Sequence, residues 1–156
     1  MDAFDREKAI KVWQRVRNGA ENQNLGQLAE AALTDGVLLM RLSRRFQGTW
    51  RKRLWDMSRQ EQQQGMMLKG MIALTRDTVP PIRAERIPLE RTESILRRCW
   101  QSMVQRSQIY SAMTADSEFG RIYADFAARE EANCRQLLLL LGAMPGSDIP
   151  RRSGRP

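Results

Sequence analysis

All six prolines of this chain lie at positions 80, 81, 88, 145, 150 and 156. Proline removes a backbone donor and clashes with the preceding helical turn, so it marks where long helices cannot run. Everywhere else the apolar residues recur at spacings of three and four, the period of one helix face. The chain is therefore predicted to be all-α. A short amphipathic helix over about 2–17, carrying Ile10, Trp13 and Val16, precedes a polar loop at 18–24, and four long helices follow at about 25–47, 50–75, 89–114 and 117–142. The expected division is an N-terminal helix and loop (1–24), a four-helix unit (25–142) and a flexible basic tail (143–156) rich in Gly, Ser, Pro and Arg.

The 156 residues are 42% hydrophobic but only 6% aromatic, which suits one aliphatic, Met-rich core and leaves no room for a second. The formal charge is +8, and 22 of the 26 cationic side chains are Arg. That balance favours acidic partners or nucleic acid. The chain has no His, which removes imidazole acid–base catalysis and His-containing metal sites. Cys99 and Cys134 are too few and too far apart for a zinc cage, and they read as core thiols. The nine Met read as core filler. Gly-rich phosphate loops and Ser-based triads are absent. With no apolar run of about 18 residues and no basic, apolar leader, the expected location is the cytoplasm, away from membranes.

Written along their inward faces, the four long helices share a feature. The first reads Leu25, Leu28, Ala32, Asp35, Leu39, Leu42, Phe46, and the second Leu54, Met57, Glu61, Gln64, Leu68, Met71. The third reads Leu96, Cys99, Met103, Arg106, Tyr110, Met113, and the fourth Tyr123, Phe126, Glu130, Asn133, Leu137, Leu140. Each is polar in its middle. The seams pair as an internal repeat, helix 1 onto helix 3 at a shift of 71 and helix 2 onto helix 4 at 69, clearest where Glu61-x-x-Gln64 meets Glu130-x-x-Asn133. Two alike helix pairs must be joined by the segment Asp77–Pro88, which can span ~40 Å if extended, enough to run the length of a helix. The expected topology is up-down-down-up with a long 2–3 crossover.

A bundle with such a crossover, and with Glu-x-x-(His position) pairs on helices 2 and 4, resembles the ferritin-like, rubrerythrin-type di-iron proteins over about residues 25–142. Arg59-Gln60-Glu61-Gln62-Gln63-Gln64, Leu96-Arg97-Arg98-Cys99-Trp100 through Tyr110, and Phe126 to Leu141 carry the resemblance. It implies six iron ligands, a Glu from each of helices 1 and 3 and Glu-x-x-His from helices 2 and 4. Carried over residue by residue, those positions hold Ala32, Met103, Glu61, Gln64, Glu130 and Asn133, so only two carboxylates remain. Asp35, one turn beyond Ala32, offers a displaced third. Amides are poor iron ligands beside imidazole, so the resemblance implies a metal-free descendant without a cofactor. Two facing carboxylates in a core repel, and Arg106 is the cation on these seams that could take the place of metal. Tyr110 matches a tyrosine near the metal centre in relatives and reads here as a core aromatic.

The up-down-down-up order gathers Arg44, Arg45, Arg51, Lys52, Arg53 and Arg91 at one end, with Arg and aromatic residues interleaved from Arg44 to Arg53 as in phosphate-binding patches. The expected role is that of a non-catalytic structural or protein-interaction component, pairing with itself or a related ferritin-like protein. Two alternatives stand beside it: a di-metal oxidoreductase or peroxidase with altered ligands and iron, and a basic bundle that binds nucleic acid.

Overall fold

The computed structural model describes residues 25–75, 81–88 and 90–144. The predicted N-terminal helix and loop and the tail from residue 145 lie outside the described residues, as do 76–80 and 89 of the crossover. Four helices carry the fold, and no strand occurs among the described residues: α1 over 25–43, α2 Gly48–Thr75, α3 Thr92–Ala112 and α4 Gly120–Ala143. No described helix is long and apolar enough to cross a membrane.

Helix ends depart from the period-based ranges by a few residues, each for a local reason. α1 stops at 43 rather than about 47, because the amides of Arg44, Arg45 and Phe46 bond back three residues to Arg41, Leu42 and Ser43 in a tightened turn. Gly48 then turns the chain with φ 61°, a left-handed conformation that suits glycine, and α2 starts there. α4 starts three residues later than the apolar period suggests. The Asp116 carboxylate accepts the amides of Glu118 and Phe119 at 2.8 and 2.7 Å, holding 117–119 in a turn.

α1 and α2 meet closely through two glycines. A Cβ on Gly36 would lie 2.6 Å from Gln62 Cγ and 3.2 Å from the Ser58 carbonyl, and one on Gly65 would lie 2.6 Å from Leu33 Cγ. The Ser58 hydroxyl donates to the Gly36 carbonyl at 2.6 Å across this contact. The helices can approach so closely only because both positions lack a side chain.

The core falls into two apolar clusters. One joins Leu38, Leu39 and Leu42 of α1 to Leu54 and Met57 of α2, Leu96, Cys99 and Met103 of α3, and Leu137 and Leu140 of α4. The other joins Leu25 and Leu28 to Leu68 and Ile72, Tyr110, Tyr123 and Phe126. Tyr110 packs on Phe126 with ring centroids 5.3 Å apart. Residues 81–88, neither helix nor strand, reach both clusters, Ile82 in the second and Ile87 in the first. The Glu85 amide donates to Thr34 Oγ1 at 2.8 Å, and Arg41 donates to the Ile87 carbonyl at 3.4 Å. This segment is thus tied along α1. Between the clusters, at the middle of every helix, lies a polar layer.

Candidate functional site

Each helix delivers one charged side chain to that layer: Asp35 from α1, Glu61 from α2, Arg106 from α3 and Glu130 from α4. All are buried, with Arg106 at 2% exposure and both glutamates at 0%. The guanidinium is the centre. Nε donates to Glu130 Oε2 at 2.7 Å, and Nη2 contacts the same oxygen at 2.7 Å and donates to Glu61 Oε1 at 2.5 Å. Nη1 donates to Asp35 Oδ2 at 2.6 Å and to Ser102 Oγ at 2.5 Å. Of arginine's five N–H donors in a fixed fork, four make hydrogen bonds here.

Three acids face one permanent cation, and burial shifts Asp35 and Glu61 among them. Desolvation lifts Asp35 from 3.8 to about 6, even though Arg106 and the Ser102 hydroxyl pull the other way. Burial also raises Glu61 well above the ordinary carboxyl range; Arg106 opposes this, and the neighbouring Glu130 carboxylate, within hydrogen-bond reach, reinforces it. Glu61 therefore holds its proton more tightly than an exposed glutamate does. Burial alone would weaken the charge on Arg106, but Glu61, Glu130 and Asp35 outweigh it and hold its proton more tightly than usual. The raised proton affinity of Glu61 works toward charge balance in a layer of three acids and one cation, as a low-dielectric interior favours.

The remaining polar side chains of the layer surround this group. Asn133 donates to Gln60 Oε1 at 3.2 Å and to Glu61 Oε2 at 3.4 Å. Gln64 faces α3 instead, accepting the Tyr110 hydroxyl at 2.6 Å. Ala32 and Met103 are buried apolar side chains, Met103 within the first cluster. The residues read from sequence as Asp35, Glu61, Arg106 and Glu130 thus meet, with Asn133 alongside, while Gln64 turns to Tyr110. Three participants escape the sequence reading: Ser102, Gln60 and the donor role of Tyr110. Ser102 and Tyr110 lie four residues either side of Arg106, a helical spacing that carries a signal. Gln60 flanks the seam and carries none.

These donors do not fit a di-metal centre. The carboxylates converge on a guanidinium, the nearby side-chain groups are amides, and among the described residues no set of three or more His, Cys, Asp or Glu is placed to hold a metal ion. The thiols are equally unreactive. Cys99 and Cys134 are buried and unbonded to one another, and desolvation raises the first well above the thiol range and pushes the second up to about 12.

The basic residues take different partners. Arg44, Arg51 and Lys52 line one cavity at the α1–α2 corner. Arg45 instead donates to the Glu90 carbonyl and Thr92 Oγ1 at 2.9 and 2.8 Å, Arg53 lies 4.8 Å over the Trp50 ring, and Arg91 pairs with Glu93. Comparison with protein-family models, curated proteins and solved structures finds no match to this chain.

Proposed function

We propose that this chain is a ferritin-like four-helix bundle in which a guanidinium does the electrostatic work of a lost di-metal centre, and that it serves as a non-catalytic structural or interaction component. The observation that carries the reading is Arg106, buried and hydrogen-bonded to carboxylates and a hydroxyl from four helices. The up-down-down-up order is supported by the two apolar clusters. The end of α1, the starts of α2 and α3 and the end of α4 share one cluster, and the opposite ends share the other, with 81–88 reaching from the second to the first. The di-metal oxidoreductase reading meets the obstacle that a fixed positive charge sits among the three carboxylates a metal would need.

Interaction is the role left to such a body. Met66, Met67 and Leu74 on α2 and Leu138 and Leu139 on α4 are exposed apolar side chains, and they suit a second copy of the chain or a related bundle. The test is metal analysis after anaerobic exposure to ferrous iron and manganese, followed by desalting. The expected content is well below one metal per chain, unchanged in Glu61→Ala. About two irons per chain, lost in Glu61→Ala, would overturn the proposal in favour of the oxidoreductase. Sedimentation of the full chain across a concentration series tests self-association.

A further inference from the structure

The corner between α1 and α2 holds chemistry unrelated to the buried layer. An open cavity of about 410 Å³ is lined by Arg44, Gly48, Arg51, Lys52 and Trp55, among others. Arg44 and Arg51 are exposed and form no ion pair with any described residue, while Lys52 meets only Asp56, at 3.1 Å in an exposed pair of little energetic weight. The first turn of α2 contains no acidic residue to offset these charges. Three cations around one hollow repel one another and leave a position for an anion.

The cavity also has an aromatic wall. Trp55 is 41% exposed, and the Arg59 guanidinium lies 6.0 Å from its ring centre. Residues 51, 52, 55 and 59 share one face of α2, so cation, indole and cation follow each other over about 12 Å. A bare anion has no use for the indole. A membrane surface would need a broad apolar patch around Trp55, whereas Met40 is the one other apolar side chain lining the cavity, beside Arg44, Arg51 and Lys52. A duplex hides its base faces, whereas single strands expose them for stacking, and phosphates spaced along a backbone match spaced guanidinium groups.

We infer that this corner binds single-stranded nucleic acid, with phosphates held by Arg44, Arg51 and Lys52 and a base stacked on Trp55. The inference is independent of the metal-free reading and stands whether or not the buried layer takes metal. The test is fluorescence anisotropy of the intact protein with a labelled oligodeoxythymidine of about twelve nucleotides, within the usual site sizes, across a salt series. Trp55→Ala should weaken binding roughly 5- to 100-fold at fixed salt without altering the salt slope, as loss of one stacked base does. Arg44→Gln with Arg51→Gln should lower the slope of log affinity against log salt by about 1.4, near 0.7 for each phosphate no longer neutralised. Arg121→Gln, a charge control on α4, should change neither. All substituted side chains are exposed, and circular dichroism melting verifies that each variant folds as the parent does. The inference is overturned by absence of binding at low salt, by a Trp55→Ala variant that binds like the parent, or by equal slope loss in the Arg121→Gln control. Equal affinity for a duplex of the same length, or Trp55-dependent binding to anionic vesicles in place of the oligonucleotide, overturns it as well.

Discussion

Replacing Arg106 by Met keeps most of the stem volume, removes the charge and strands the carboxylates of three other helices. The cost is bounded, because a stranded carboxylate escapes by taking a proton. From an ordinary reference value near 4 that costs about 1.4 kcal/mol for each pH unit above it, or roughly 5 kcal/mol per group at pH 8 and about 1 at pH 5. Burial already raises the proton affinity of Glu61, so it adds less than a full group. Asp35, raised to about 6 in the intact layer, adds only the remainder between its present state and full neutralisation. These neutralisation costs set a ceiling, and the expected loss at pH 8 is ~3–5 kcal/mol, the range found when one partner of a buried pair is removed. At pH 5 it should shrink to ~1–2 kcal/mol, since the protons are then nearly free. Against a total stability of about 5–15 kcal/mol the first figure is large enough to measure by urea unfolding at each pH. Adding Asp35→Asn and Glu130→Gln to Arg106→Met should recover part of the loss at pH 8. A loss below about 1 kcal/mol at pH 8, or one that does not shrink at pH 5, would refute the argument that the guanidinium neutralises these carboxylates.

The raised pKa of Asp35 makes the parent protein pH-sensitive in a defined direction. The folded state holds this proton more tightly than the unfolded chain, so the contribution is fully present below about 3.8 and is lost as pH rises through about 6. It amounts to ~3 kcal/mol, and Asp35→Asn should flatten that part of the stability profile in urea titrations between pH 4 and 7. Gly36→Ala and Gly65→Ala should each lower stability by ~1–3 kcal/mol, because the new Cβ would press on α2 or α1. Gly70→Ala, with nothing within 4 Å, should raise stability by up to ~1 kcal/mol in the same thermal melts. Tyr110→Phe removes the donor to Gln64 and leaves a buried amide oxygen unmet, which should cost ~1–3 kcal/mol in chemical unfolding.

Much of this architecture is legible along the chain, since proline placement and apolar spacing depend only on local backbone chemistry. The helical character of 25–75 and 92–143 follows from them, and so does the inward placement of Asp35, Glu61, Arg106 and Glu130, because helical phase determines which side of a helix a residue occupies. The repeat even sets Asp35 opposite Arg106, the pair that hydrogen-bonds across 71 residues. Helix ends were less accessible, because the turn after Ser43 and the Asp116 cap are made by hydrogen bonds that an apolar period does not record. Tertiary structure alone decided that one guanidinium reaches three carboxylates and Ser102 while Gln64 turns to Tyr110. It also decided that Arg44, Arg51 and Lys52 share a cavity while Arg45 reaches toward α3. The physical reason is that phase orients a side chain toward the core, whereas its partner depends on the height and separation of neighbouring helices, set here by the close approach at Gly36 and Gly65. The raised proton affinity of Glu61 belongs to the same class, for it comes from the burial and neighbours that only the packed helices supply.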